Sequence, residues 1–129
     1  MRKLVAPGLL ILSLLLTAGC TTPTITNLTP SRQTRTADGI YPVEMAWSSR
    51  QRSIKEGSLK PFVVVGEEFY PMRPTPVVKD RWEALLPVAA SNNVVNYRFK
   101  VDWEYYAIPV VKPDSALSKP YQLHIAEPR

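Results

Sequence analysis

Large apolar and charged side chains alternate strictly along residues 97–105, in the segment YRFKVDWEY. The apolar members are Tyr97, Phe99, Val101, Trp103 and Tyr105. Successive side chains of a β-strand point to opposite faces of a sheet, so this spacing places the large apolar groups on one face and the charges on the other. A helix would scatter both sets around its circumference. We therefore predict an antiparallel strand with one buried face.

Shorter segments show the same period of two and predict further strands. The apolar positions of these segments are Val43, Met45 and Trp47; Trp82, Ala84, Leu86 and Val88; and Tyr121, Leu123 and Ile125. The apolar runs 62–65 and 69–70 are separated by Gly66 and Glu67, which predicts a β-hairpin. Residues 25–28 are a candidate first strand. No segment shows a convincing helical period.

Six or seven short strands separated by turn residues are typical of an antiparallel sandwich of roughly 100 residues. The 13 prolines fit loops and edge strands. Residues 72–103, MRPTPVVKDRWEALLPVAASNNVVNYRFKVDW, resemble the middle of the early-set immunoglobulin-like domains found in glycogen-binding modules. The resemblance implies an all-β fold, namely a single antiparallel immunoglobulin-like β-sandwich of about seven strands. Those modules follow the Val-Asp pair with a glycine-led turn and a sugar-stacking Trp, whereas here residues 103–106 continue the strand, so the resemblance supports the fold and not the sugar site.

The first 19 residues have the character of an export signal. Arg2 and Lys3 precede an uncharged stretch, residues 4–18, which ends in small residues. The apolar stretch is shorter than the ~20 residues that a membrane-spanning helix needs, and Pro7 and Gly8 disfavour helix in its first turns. We therefore expect residues 1–19 to be a cleaved signal peptide.

The single cysteine, Cys20, follows this signal directly. The sequence Thr17-Ala18-Gly19-Cys20 resembles the lipobox of bacterial lipoproteins, in which the cysteine thiol receives a diacylglyceryl group and a peptidase then cuts in front of it. The resemblance implies a lipid on Cys20, membrane attachment through that lipid and a location in the cell envelope. An Asp at the next position favours inner-membrane retention in Gram-negative members of the family, so Thr21 favours the outer membrane. Residues 20–24 would then be a tether and residues 25–129 the sandwich domain.

The net charge gives little support for binding to nucleic acid. The full chain carries a formal charge of +5, and removal of Arg2 and Lys3 leaves 14 basic against 11 acidic residues, a net charge of +3. A surplus this small is weak evidence for a polyanionic partner, and an exported lipoprotein would rarely meet nucleic acid. We predict no nucleic-acid partner.

The sequence also contains no recognisable catalytic or metal-binding arrangement. The single histidine, His124, falls on the polar face of the predicted last strand. Asp102 and Glu104 share a face at a spacing that would suit a glycosidase carboxylate pair, but Arg98 and Lys100 lie on that face too, and mixed charges are typical of a salt-bridged surface. The glycines are scattered, and the His and carboxylate positions lack metal-ligand spacing. We therefore predict no catalytic residue, metal or cofactor.

Two groups of residues are candidates for contacting a ligand or partner. The first is the basic stretch containing Arg50, Arg52 and Lys55, which together with Arg32 and Arg35 suits anionic envelope polymers or lipid head groups. The second consists of Tyr70, Tyr105 and Tyr106. Because Tyr105 and Tyr106 are adjacent in a strand, they face opposite ways, so at least one ring is expected to face solvent, where with Tyr70 it would form a small aromatic platform.

Together these features predict a membrane-anchored, non-enzymatic interaction or structural module that binds another envelope protein. The alternative is a carbohydrate-binding module that uses exposed Tyr and Trp rings, and a third hypothesis is an uncharacterised hydrolase. Exposed coplanar rings would favour the sugar. A flat polar surface with an unpaired strand edge would favour a protein partner, and a cleft holding His124 beside a carboxylate would favour an enzyme.

Overall fold

The computed structural model describes residues 22–129, which form ten β-strands. These strands are β1 Thr24–Asn27, β2 Arg32–Thr34, β3 Ile40–Ser48, β4 Lys60–Val65, β5 Glu68–Pro71, β6 Arg73–Pro74, β7 Arg81–Pro87, β8 Val94–Ala107, β9 Val110–Leu117 and β10 Tyr121–Ala126. The predicted signal peptide, residues 1–19, and the predicted lipid attachment at Cys20 lie outside the described residues. No helix in the described part of the chain is long and apolar enough to cross a membrane.

The strands form two sheets. The four-stranded sheet has the order β1-β3-β7-β6, and the six-stranded sheet has the order β2-β10-β8-β4-β5 with β9 also paired to β8. The strands β9 and β10 occupy the same side of β8 in succession, so they are the two halves of one strand position. With β9 and β10 counted together, the orders match the ABED and GFC sheets of an immunoglobulin-like domain, with β5 as an additional strand beside β4 and β2 as an additional parallel strand beside β10. The fold is an all-β immunoglobulin-like sandwich, which confirms the predicted fold class.

The core lies between the inner faces of the two sheets, at the positions that the alternating pattern predicted. Val43 and Met45 of β3, Phe99 and Val101 of β8 and Leu123 of β10 have no more than trace exposure. Trp47 and Trp103 are also buried, and their ring centroids lie 5.2 Å apart across the two sheets. Because residues 22–129 contain no cysteine, this part of the chain is held without a disulfide.

The predicted hairpin at Gly66 and Glu67 is confirmed. Val65 pairs with Glu68 across this turn, and Gly66 has φ of +60°, a conformation that favours glycine. The first strand begins at Thr24, so the last residue of the predicted 20–24 tether belongs to the sheet.

Candidate interaction surfaces

The longest strand, β8, contributes to two candidate interaction surfaces, one at the end of a hairpin and one on the face of a sheet, because different strands pair with it along its length. Residues 94–97 pair with β10 and residues 98–102 pair with β4. The distal residues 103–107 pair with β9 on one side, in a register that ends at Ala107 and Val110 on either side of a two-residue turn. This hairpin of β8 and β9 therefore continues past the end of the β4 ladder.

The loop between β3 and β4 supports the other side of distal β8. The Tyr106 N–H donates to the Ser53 carbonyl at 2.9 Å, and the Lys55 N–H donates to the Glu104 carbonyl at 2.8 Å. The buried Ser58 hydroxyl accepts from the Glu104 N–H at 3.1 Å and donates to the Lys55 carbonyl at 2.6 Å. These bonds fix the loop against the strand, although the loop has no extended strand pairing of its own.

This loop brings together five of the six predicted contact residues. Arg50 and Arg52 are exposed and Lys55 is half-buried, on a segment that is hydrogen-bonded to the strand carrying Tyr105 and Tyr106. Tyr105 is half-buried against the core and Tyr106 is 51% exposed, which confirms the expectation that one of the two rings faces solvent.

Tyr70, the sixth predicted contact residue, lies elsewhere. It pairs with Val63, which in turn pairs with Phe99, so it sits about 20 Å along β8 from Tyr105 by strand rise. Its ring packs against the core, and its hydroxyl donates to the Glu68 carboxylate. That hydrogen bond, with smaller contributions from desolvation and from the carboxylate charge, raises the pKa of Tyr70 above its usual value. The structure does not bring the three tyrosines into one platform.

The turn of the β8–β9 hairpin is apolar and exposed. We call Tyr106, Ile108, Pro109, Val110 and Val111 the hairpin tip. Ile108 is 90% exposed, and the valines are also exposed. Behind the tip, Lys112 pairs with Tyr105, Glu104 lies one position further back in the same ladder and Asp114 lies two positions further back. The charge thus changes from basic to acidic with distance from the tip.

A second apolar area lies on the outer face of the six-stranded sheet. We call Val64, Phe69, Arg98, Lys100, Asp102 and Leu117 the outer sheet face. Phe69 is 52% exposed and Leu117 is 56% exposed. Val64, Phe69, Arg98, Lys100 and Leu117 line an open depression of about 630 Å³.

The charges of the outer sheet face are arranged in two groups along β8. Arg98 and Lys100 come first, and Asp102 and Glu104 follow. The Lys100 Nζ lies 3.2 Å from a carboxylate oxygen of Asp102 and 5.6 Å from the centroid of the Phe69 ring. The cation therefore bridges the apolar area and the acidic end of the face, in agreement with the predicted salt-bridged surface.

One backbone edge of the hairpin has no ladder partner within residues 22–129. The Ser118 N–H donates to the Phe99 carbonyl at 2.8 Å, so Ser118 directs its backbone groups towards β8. Backbone groups alternate in direction along a strand, so those of Val111, Pro113 and Ser115 point away from β8. Among the described strands, β9 forms a ladder only with β8. Pro113 has no N–H, so it interrupts this open edge.

Asp102 and Glu104 share one face of β8 and line an open depression, whereas His124 lies apart from both. His124 is exposed, opposite Val94 on one side and Arg32 on the other. Asp102 is paired with Lys100. Within residues 22–129 there is no group of three or more His, Cys, Asp or Glu side chains arranged to hold a metal ion.

Phe69 and Leu117 were not identified as contact residues from the sequence. Phe69 follows a run of apolar residues in which no alternation distinguishes the two faces, and Leu117 ends a segment, VVKPDSAL, with no period of two. The sequence offered only an indirect indication of β9: once residues 97–105 are assigned as a strand, the segment that follows is a candidate for pairing with it in a hairpin.

Comparisons with known proteins add a fold-level likeness. No family model matches the chain, and no curated protein matches it. Among solved structures, the chain is similar to murine CRIg, with 11% identity over 84% of this chain and 99% of that chain and a TM-score of 0.43. That likeness is too distant to carry an argument, so the immunoglobulin-like assignment depends on the strand order of the two sheets.

Proposed function

We propose that this chain is a lipid-anchored interaction module of the bacterial cell envelope that binds another envelope protein through its outer sheet face. The single observation that carries the binding proposal is the depression that holds two exposed apolar side chains, Phe69 on β5 and Leu117 on β9, with Arg98 and Lys100 of β8 between them. Exposed apolar area marks interaction sites, and aromatic and Arg side chains are enriched at protein interfaces. An immunoglobulin-like sandwich suits this role because it presents rigid sheet faces, but the proposal is drawn from the surface itself.

The arrangement of charge indicates the chemistry of the partner. The cations Arg98 and Lys100 lie at one end of the outer sheet face, and the carboxylates of Asp102 and Glu104 lie at the other. A complementary partner would place its carboxylates opposite Arg98 and Lys100, its cations opposite Asp102 and Glu104, and an apolar ridge between the two groups. This order of charges also determines the position in which the partner docks.

The exposed aromatic rings favour a protein over a polysaccharide. Phe69 is level with Arg98 through the β5–β4–β8 register, whereas Tyr106 lies about 26 Å further along β8 by strand rise. Sugar platforms stack neighbouring rings on one ligand, and these two rings are too far apart to share a sugar unit.

The membrane attachment is proposed from the sequence. Cys20 would carry the lipid, and Thr21 favours the outer membrane in a Gram-negative cell. Three residues, 21–23, separate Cys20 from the first strand. A tether this short keeps the sandwich at the membrane surface, which raises its local concentration towards partners held in the same envelope.

Site-specific photo-crosslinking in cells tests the binding proposal with a matched control. A photoreactive amino acid replaces Leu117 on the outer sheet face or Leu85 on β7 of the other sheet; the two leucines are 56% and 58% exposed. We expect a discrete protein adduct from position 117 and none from position 85. The adduct should disappear with Phe69→Ser or Lys100→Glu and should persist with Leu85→Ser.

Other outcomes would contradict the proposal in distinguishable ways. Equal adducts from both positions would mean nonspecific capture, and no adduct from position 117 would remove the outer sheet face as a binding site. An adduct of twice the chain mass would replace the partner by a second copy. A polysaccharide adduct would favour the carbohydrate-binding alternative.

The membrane attachment is tested separately: the Cys20→Ala chain should leave the membrane fraction after a high-salt wash, and its retention there would refute the lipid anchor.

A further inference from the structure

The hairpin tip is a convex apolar surface that the binding proposal does not use. Ile108 has almost no neighbours, and Tyr106, Val110 and Val111 are each exposed by two fifths or more. Exposed apolar area of this kind costs roughly 25 cal/mol per Å² while it stays in water, so a cluster at the end of a hairpin indicates an apolar environment for the tip.

The chain enters the sandwich at the same end. Residue Thr24 pairs with Ser48 at the end of β3, and the loop that follows Ser48 is hydrogen-bonded to Glu104 and Tyr106 near the tip. Strand β1 therefore begins at the end of the four-stranded sheet that is nearer to the hairpin tip. The C-terminal end of β10 lies at the opposite end, because β10 runs antiparallel to β8.

The length of the chain before Ile25 is sufficient for residue 20 to approach the level of the tip. Trp47 and Trp103 are in contact, and Ile25 pairs with Trp47, so these residues mark one level of the sandwich. Cys20 precedes Ile25 by five residues, which span at most about 17 Å when fully extended. Ile108 follows Trp103 by five residues, which rise about 17 Å in a strand. A lipid on Cys20 and the hairpin tip can thus reach one plane.

The charges around the tip indicate a lipid surface as its environment. Arg52 adjoins Ser53, whose carbonyl bonds to Tyr106, and Arg50 lies on the same loop. Lys112 is the first charged residue after the tip on β9, whereas Glu104 and Asp114 lie further back. With the tip in a bilayer, these cations would lie at the depth of the lipid head groups and the carboxylates would lie further from the membrane. This arrangement suits the negative surface of a bilayer that contains anionic lipids.

We propose that the hairpin tip inserts into the same membrane leaflet that holds the lipid on Cys20, with Arg50, Arg52 and Lys112 at the lipid head groups. The inference rests on the proposed lipid anchor. Insertion gives the domain a second point of attachment, so the sandwich stands on its end with the outer sheet face turned sideways. The tip orients the domain and the lipid retains it, since a few apolar side chains alone bind a bilayer only marginally.

A depth-sensitive fluorophore tests the insertion. The variant Ile108→Cys is labelled with an environment-sensitive dye on the mature, lipidated chain, in which the Cys20 sulfur is occupied, and is reconstituted in phosphatidylethanolamine–phosphatidylglycerol vesicles. The matched control is Ser91→Cys, which places the dye in an exposed turn at the opposite end of the sandwich. We expect a blue shift and strong quenching by lipids brominated in the acyl chain at position 108, and neither at position 91. Adding Val110→Asp to the labelled variant should abolish both signals.

The outcomes separate this inference from the proposed anchor. Mass measurement on the same sample shows whether Cys20 is acylated. If the acylated, vesicle-bound chain keeps the dye at position 108 in water, insertion is overturned while the anchor stands. If Cys20 carries no lipid, the anchor fails, and the dye in the presence of excess vesicles still shows whether the tip enters the bilayer. A blue shift that appears in lipid-free buffer and grows with protein concentration would mean that two copies bury their tips together, which also overturns the inference.

Discussion

The replacement Phe99→Ala tests the predicted core most sharply, because the chain offers Phe69 as a matched control. Phe99 is fully buried, with its ring centroid 5.6 Å from that of Tyr97 and 6.0 Å from that of Tyr121. Phe69 is the same residue type on the outer sheet face, half-exposed, in contact with Phe62.

The expected magnitudes follow from this difference in burial. Removing about 150 Å² of buried aromatic surface at about 25 cal/mol per Å² costs roughly 4 kcal/mol, within the range of about 3–5 kcal/mol for truncating a buried Phe. Phe69→Ala loses about half of that area and leaves no cavity, so we expect a cost of at most about 2 kcal/mol. A small domain is stable by only about 5–15 kcal/mol, so the Phe99→Ala chain should remain folded but with a small margin.

Urea denaturation followed by tryptophan fluorescence measures both effects. The experiment uses the mature chain with Cys20→Ala, which keeps it in solution, and compares the free energy of unfolding at equal m-values. A loss below about 1 kcal/mol for Phe99→Ala, or equal losses for the two variants, would refute the assignment of β8 as a strand with one buried face.

Three further predictions concern the hairpin and its neighbours. Ser58→Ala leaves the Glu104 N–H without its hydroxyl acceptor and should cost about 1–3 kcal/mol in thermal or urea unfolding, whereas Ser91→Ala in an exposed turn should cost almost nothing; equal effects would contradict the role of Ser58. Pro113→Val restores an outward N–H on the open edge of β9 and should increase self-association in sedimentation velocity, and an unchanged monomer would show that Pro113 does not protect this edge. The pKa of Tyr70, followed by NMR of its ring carbons, should lie above the usual value of about 10 and fall with Glu68→Ala. Since the folded-state pKa of Tyr70 is raised, its contribution to stability is complete below about pH 10 and is lost as the pH rises through the folded-state pKa, and a pKa unaffected by Glu68→Ala would contradict this.

Strict alternation along the chain was enough to predict the centre of the fold. In residues 97–103 each face has one kind of side chain, so only one orientation buries the apolar set, and the structure buries Tyr97, Phe99, Val101 and Trp103. The turn at Gly66 and Glu67 was predictable for a similar local reason, since glycine is favoured where φ is positive.

The outer sheet face could not be predicted because its segments lack that contrast. In the run Phe62 to Val65 every residue is apolar, and only pairing with β5 and β8 decides that Val63 is buried while Val64 faces outward. Strand β9 has no alternation and contains Pro113; its strand structure comes from pairing with β8. These are tertiary effects on segments with weak local preference.

The grouping of the candidate contact residues depended on register in the same way. The basic loop and the Tyr105–Tyr106 pair are about 50 positions apart in sequence, and two backbone hydrogen bonds join the loop to Glu104 and Tyr106 of β8. Tyr70 is closer in sequence to each group than the groups are to each other, yet the β4–β5 hairpin places it level with Phe99, on the far side of Val63. Residue type indicated which side chains were candidates, and strand pairing determined which of them lie together.

The most direct test of the account is a mass measurement on the N-terminal peptide of the chain purified from membranes. We predict a mature N-terminus at Cys20 that carries the mass of a thioether-linked diacylglyceryl group. A mature chain that begins at another residue, or that has an unmodified thiol at Cys20, would contradict the lipid anchor on which the proposed function and the insertion of the hairpin tip both depend.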